Sequence, residues 1–173
     1  MAIVGPSGTG KSTLARRLGR TLGVPVIHLD AHYWRAGWKE PPKAEWVAQV
    51  DELIARETWI MDGNYSGTFA RRIAAADTVV FLDFPRLHCV YGVMSRWWNT
   101  RGRVREDLAP GCPEKLPDLD FLTWIWNYPR DAKPRLMALL DAAPPTTKIV
   151  ILRSRAEVER WADQVEMPAS QRS

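Results

Sequence analysis

A chain of 173 residues is long enough for one good core and too short for two ordinary domains. An apolar share of 46% and a charged share of 25% are those of a globular protein; no apolar run nears the roughly 18 residues of a membrane span, and no signal-peptide pattern opens the chain, so a cytoplasmic protein without a membrane partner is expected. A net charge of +4 and a pI near 9.3 point to an anionic partner, which charge alone leaves open between a nucleotide and a nucleic acid.

In chain order, the first apolar run, Ala2–Val4, leads into Gly5-Pro6-Ser7-Gly8-Thr9-Gly10-Lys11-Ser12, which matches G-x-x-x-x-G-K-[ST] at every fixed position. A helix-compatible stretch over Lys11–Leu22 comes next, so the motif lies in its required strand, loop and helix context. Glycines there let backbone N–H groups turn inward around phosphate oxygens, and the next helix aims its positive dipole end at them. Lys11 adds a full charge for the β- and γ-phosphates, the Ser12 hydroxyl is a Mg²⁺ ligand, and Thr13 completes the candidate nucleotide contacts. Only four residues precede Gly5, three of them in the strand-like run Ala2–Val4, so either the central strand is short or residues ahead of it are missing.

Further strand-like runs fall at Val24–Leu29, Trp59–Met61, Thr78–Leu82 and Lys148–Leu152. They alternate with helical stretches at Lys43–Arg56, Phe69–Ala75, Leu87–Asn99, Phe121–Leu140 (broken by Pro129 and Pro134) and Ser154–Gln164. This alternation predicts an α/β protein whose parallel sheet is covered on both faces, in one domain over 1–166, with 167–173 as a polar tail. Ligands of such sheets bind beyond the carboxyl ends of the strands, which singles out Asp30, Asp62-Gly63-Asn64, Asp83 and Arg153. Asp62, followed by Gly63, is favoured over Asp83 as the carboxylate for the metal. Asp30, ending the second strand, is placed to accept a proton from an attacking hydroxyl, and Arg153 is counted with the nucleotide contacts.

Two long irregular segments remain, Ala31–Pro42 and Arg101–Asp120, the centres of an expected substrate-binding segment at about 31–58 and a lid at about 96–120. The first carries Tyr33, Trp34 and Trp38; the second gathers Arg96, Arg101, Arg103 and Arg105, suited to stabilising charge on a transferring phosphoryl group from a closing lid. The same cluster could track a nucleic-acid backbone or form a solvated basic face. Cys89 and Cys112 have neither metal-ligand spacing nor an oxidising context.

Together, Gly5–Ser12, His28-Leu29-Asp30, Tyr33-Trp34, Asp62-Gly63-Asn64-Tyr65-Ser66-Gly67, Leu82-Asp83-Phe84-Pro85-Arg86, Gly111-Cys112-Pro113-Glu114 and Trp124-Ile125-Trp126-Asn127 resemble the adenylate-kinase-related bacterial family labelled DNA topology modulation protein, or FlaR. The resemblance implies a three-layer P-loop NTPase fold of the nucleoside/nucleotide-kinase type. It also implies a parallel five-stranded sheet in the order 2-3-1-4-5, a substrate-binding segment after strand 2 and an arginine-bearing lid after strand 4. It assigns ATP and Mg²⁺ to Lys11 and Ser12, and likens Asp30 to the strand-2 aspartate that faces the acceptor hydroxyl in shikimate kinase. Asn64-Tyr65 replaces the Phe-Pro-Arg that follows Asp-Gly in adenylate kinases, which removes an expected monophosphate contact; Arg72 stands in for it. The acceptor side is then Asp30, Tyr33, Trp34, Gly63, Asn64, Tyr65 and Arg72, with Lys11, Asp30, Arg96, Arg101 and Arg105 as the catalytic set.

The leading expectation is a kinase that moves the γ-phosphoryl group of ATP to an unidentified small acceptor, a nucleoside, nucleotide or other metabolite. The alternative is a nucleic-acid-associated regulator of DNA topology that binds ATP; the basic balance permits it, but no helix-turn-helix or zinc finger is legible. A GTPase switch is disfavoured because the chain has no N-K-x-D motif.

Overall fold

The computed structural model describes residues 1–167; the polar tail from Pro168 onward lies outside them. Five strands form one all-parallel sheet in the order β2-β3-β1-β4-β5, from β1 (Ala2–Val4), β2 (Val26–His28), β3 (Ile60–Asp62), β4 (Thr78–Leu82) and β5 (Lys148–Leu152). The helices are α1 (Lys11–Leu22), α2 (Leu29–Tyr33), α3 (Lys43–Ile54), α4 (Phe69–Ala75), α5 (Arg86–Thr100), α6 (Leu119–Asp131), α7 (Lys133–Asp141) and α8 (Arg155–Glu166), with a 3-10 turn at Ser66–Thr68. This is the sheet order expected for a three-layer P-loop fold.

Side-chain alternation along the strands divides the core in two. Val4, Ile27, Met61, Val79 and Phe81 face α3, α4 and α7 through Trp46, Val50, Ile73 and Leu136. Ile3, Ile60, Val80 and Leu82 face α1, α5 and α8 through Leu14, Leu18, Cys89, Val93 and Ala162. Both faces being buried explains why these strands read as unbroken apolar runs, and each fully buried aliphatic side chain contributes about 1.5–3 kcal/mol. Arg17 of α1 ties α8 down through Glu159, Asp163 and Glu166.

Local chemistry sets the helix ends. Gly23, at φ 65°, closes α1; Asp118 caps α6 by accepting from the Phe121 N–H, and Ser154 caps α8 by accepting from the Glu157 N–H. Two expectations are corrected. The second strand stops at His28, and the chain turns at once into α2, so Asp30 lies in a helical turn rather than at a strand end. The helix expected to break at Pro129 carries it to Asp131; the break falls at Ala132, and Pro134 sits in the first turn of α7, where a missing N–H is tolerated.

Strand register brings the site-forming loops together. His28 lies opposite Asp62 across β2 and β3, and Ile3 lies opposite both Asp62 and Val80, so the loops after β1, β2 and β3 open side by side. Among the described residues no helix is long and apolar enough to cross a membrane.

Candidate active site

Between the P-loop, the segment after β2, the β3 turn and the stretch from α5 to α6 lies a cavity of about 1210 Å³. Its floor is the loop Gly5–Gly10. Gly5 and Gly8 have φ of 140° and 85°, and a Cβ at Gly8 would stand 2.1 Å from the Cys89 carbonyl oxygen, so only glycine brings the loop down onto α5. Thr9 Oγ1 donates to the Pro6 carbonyl at 3.0 Å, and Lys11 Nζ donates to the same oxygen at 2.8 Å. Burial lowers the Lys11 ammonium below its ordinary pKa against the opposing pull of Asp62 and Asp30. Ser7 to Thr13 line the cavity, while Gly5 and Pro6 are buried beneath it.

At the head of α1 the Ser12 hydroxyl donates to Asp62 Oδ2 at 2.6 Å. The other carboxylate oxygen, Oδ1, contacts His28 Nδ1 at 2.5 Å. Burial works against a charged His28, but the hydrogen bond and charge of Asp62 outweigh it and raise the imidazole pKa. Asp62 is 4% exposed and bonded on both oxygens. Asp83 lies elsewhere, 2.7 Å from Lys133 Nζ in a second, smaller cleft, so the geometry separates the two carboxylates that sequence left in competition.

Asp30 lines the same cavity as this pair. Tyr65 Oη donates to Asp30 Oδ1 at 2.7 Å. Burial raises the Asp30 pKa, the Tyr65 bond opposes the rise, and the charge of Asp62 adds to it. Tyr65 has φ 29° and Trp38 φ 63°, strained values for side-chain-bearing residues, both on the cavity wall. Asn64 and Trp34 complete this side, and Phe121 and Trp124, stacked at 5.9 Å with 9° between ring planes, face it from α6.

The opposite wall is a charge network. Glu114, 7% exposed, accepts from Arg96 Nε at 3.0 Å and lies 2.9 Å from Arg105 Nε. Arg105 also donates to Asp107 at 3.2 Å. Asp107 is 4% exposed; burial disfavours its charge, but the Arg105 guanidinium, helped by the nearby Ser12 hydroxyl, prevails and holds its pKa below the usual carboxylate range. The lid thus reaches the same hydroxyl as Asp62. It is latched to the β2 side as well: Gly37 N–H donates to Gly111 O at 3.0 Å, Trp38 Nε1 to Pro113 O at 3.1 Å, and the Cys112 thiol to Arg35 O at 3.2 Å.

Four expected site residues stand elsewhere. Arg72 is 0% exposed and donates to Gly63 O at 3.1 Å, Asn64 O at 2.7 Å and Tyr65 O at 3.3 Å, with its guanidinium 4.9 Å over Phe69. It braces the turn that carries the acceptor side and does not line the cavity. Tyr33 packs behind the wall, 4.5 Å from Tyr65 and 5.0 Å from Trp46. Arg101 is exposed and lies 4.6 Å over the Trp98 ring, and Arg153, with its side chain 66% exposed, borders the smaller cleft with Asp83.

Sequence reading gave no role to His28, Asp107 or Glu114. His28 had a usable signal: in a 2-3-1 sheet order the end of β2 lies beside the end of β3, which the register pairs with Asp62. The two lid acids had a weaker one, following Arg101, Arg103 and Arg105 within the same segment.

A family model of ATPases associated with various cellular activities (AAA) matches residues 1–83. Cytidylate kinases from two strains of Nitratidesulfovibrio vulgaris, DP4 and Hildenborough, are 33% identical over 57 residues, a stretch that covers 33% of this chain and 23% of theirs. The chain therefore matches about a quarter of the length of these curated relatives. Among solved structures, shikimate kinase from Acinetobacter baumannii in complex with shikimate superposes with a TM-score of 0.60 at 14% identity, covering 95% of this chain and 88% of that one. Shikimate kinase from Bacteroides thetaiotaomicron gives 0.55 at 15% identity (95% and 94% covered), and deoxyadenosine kinase from M. mycoides with bound dATP gives 0.51 at 12% (96% and 100%). Sheet order, loop geometry and these likenesses together show a three-layer P-loop NTPase fold of nucleoside/nucleotide-kinase-like topology.

Proposed function

We propose that this protein is an ATP-dependent phosphotransferase acting on the hydroxyl of a small acceptor. The observation that carries this reading is that Ser12–Asp62 and the Asp30–Tyr65 pair line one cavity floored by the P-loop. A P-loop that only binds nucleotide has no need of a second carboxylate, half-buried Asp30, close to Asp62 and Lys11. The residues fit the donor: the loop's positive-φ glycines leave its amides free to curl around phosphate, and Lys11 Nζ rests on a loop carbonyl that it can leave for a phosphate oxygen. Ser12 and Asp62 would hold Mg²⁺, whose bound charge would offset that of the β- and γ-phosphates.

The protein's own groups do the rest. Asp30 accepts the acceptor's proton; burial raises its pKa and so makes it a stronger base, and the Tyr65 hydrogen bond opposes the rise. Arg96 and Arg105, paired with Glu114, exchange that partner for phosphate oxygens and stabilise the spreading charge. Trp34, Trp38, Asn64 and Trp124 shape the acceptor pocket and shield it from water. The lid and β2 segments are the moving parts, in a cytoplasmic enzyme that we place in the FlaR-labelled branch on its Asp62–Gly67 and Trp124–Asn127 motifs. An ADP-release screen with Mg-ATP against nucleosides, monophosphates and small hydroxylated metabolites tests the reading. One class should stimulate release in the wild type and none in Lys11→Ala; equal release from both proteins overturns it.

A further inference from the structure

Helix α5 carries apolar residues on two opposite faces. Cys89 and Val93 point into the core, as any surface helix requires. Directly opposite, Leu87, Tyr91, Met94 and Trp98 form a second stripe at spacings of four, three and four residues. Leu87, Tyr91 and Trp98 are 72%, 68% and 62% exposed. The stripe extends onto α6, where the Arg86 guanidinium lies 5.5 Å over the ring of Trp126, itself 46% exposed. A helix apolar on both faces is normally covered on both.

We propose that this face is the interface of a homodimer in which two α5 helices pack antiparallel about a two-fold axis. The four-three-four spacing is that of helices packing side by side with interlocking side chains. An axis midway between positions 92 and 93 sets Leu87 of one copy against Trp98 of the other and Tyr91 against Met94, a larger side chain facing a smaller one in every layer. In the same register Arg86 meets Asn99, while Arg101, 4.6 Å over the Trp98 ring, adds a cation at each end of the stripe, and no acidic residue occurs along α5 to attract a basic partner instead.

Area supports a second copy too. With about 200–250 Å² per large aromatic side chain, the open parts of Tyr91, Trp98 and Trp126 amount to on the order of 400 Å². Leu87 and the partly buried Met94 bring the apolar face to on the order of 550–600 Å², the top of the range a monomer leaves open, and polar residues along its rim would supply the rest of the roughly 800 Å² per partner of a stable interface. Arg96 lies on the cavity side of the same helix, so pairing would hold the lid's root in place without blocking the pocket.

Sedimentation velocity on the full chain at about 100 µM, above the micromolar constants of the weaker interfaces of this size, tests the proposal. The expected particle has twice the 19.7 kDa chain mass. Leu87→Glu combined with Tyr91→Glu should halve it while the circular dichroism of the helices is retained. Leu87→Cys combined with Trp98→Cys should cross-link copies under mild oxidation, whereas Leu87→Cys alone should not, its symmetry mate lying about 16 Å away along the helices. A monomeric wild type overturns the proposal, as does a dimer untouched by the glutamates or not cross-linked by the cysteine pair. So does a monomer that floats with anionic lipid vesicles, which would make the stripe a membrane face.

Discussion

Replacing Arg72 with methionine separates bracing from substrate binding. Methionine keeps much of the apolar stem and removes the donors that now meet the carbonyls of Gly63, Asn64 and Tyr65. Each buried carbonyl left without a partner costs about 1–3 kcal/mol. Relief from burying a charge returns part of that, so a net loss of about 2–4 kcal/mol is expected. For a chain of this size each kcal/mol moves the melting temperature by roughly 2–4 °C, which puts the expected drop at roughly 5–15 °C. Thermal unfolding at neutral pH measures it, alongside kcat and KM for the acceptor found by the ADP-release screen. Because the braced turn carries Tyr65, and Tyr65 holds Asp30, kcat should fall together with stability. A variant that melts within about 2 °C of wild type while only the acceptor KM rises would refute the bracing role and restore the substrate contact expected from sequence.

Asp30→Asn should lower kcat by about 10²–10⁴ while leaving ATP binding intact, as measured by steady-state turnover and nucleotide titration. The same variant should melt higher at neutral pH: burial lifts the folded pKa of Asp30, so the folded state keeps its proton better than the unfolded chain, and stability falls as pH rises from the ordinary carboxylate value through the raised one. Asparagine removes that fall, which melting curves across pH would reveal. Tyr65→Phe removes a bond that opposes the rise, so the acidic limb of the kcat profile should move to higher pH; an unmoved limb would dissociate Asp30 from the proton transfer. Gly8→Ala should cost about 2–4 kcal/mol and abolish ATP binding, because its methyl group would meet backbone that has no room to yield, a loss that urea unfolding and nucleotide titration detect separately.

The fold was legible in sequence wherever local pattern and core burial agree. α1 and α4 match their expected spans, and the strands expected at Ala2–Val4, Thr78–Leu82 and Lys148–Leu152 match residue for residue. α2 escaped because five residues are too few for a helical period, and an apolar run through Leu29 reads as a longer strand. Pro129 misled because tertiary packing of Ile125 and Tyr128 carries α6 past the lost hydrogen bond. At the site, Gly5–Ser12, Asp30 and Asp62 stood out through motif and position. The couplings between distant residues did not: Ser12 to Asp62, Asp30 to Tyr65, and Glu114 to Arg96 and Arg105 join segments that only the folded chain brings together. Arg72 shows the opposite error, since a conspicuous arginine near a phosphate-type loop is read as a ligand contact until its burial is known.

The most direct test tracks a labelled γ-phosphoryl group from Mg-ATP in a single turnover, with wild type, Lys11→Ala and Asp30→Asn and the acceptor that best stimulates ADP release. The label should move to the acceptor hydroxyl with wild type only; Asp30→Asn should bind the nucleotide without transferring it, and Lys11→Ala should fail at both. Label that stays in ATP or passes only to water with wild type, or that moves at the wild-type rate with Asp30→Asn, would contradict the account.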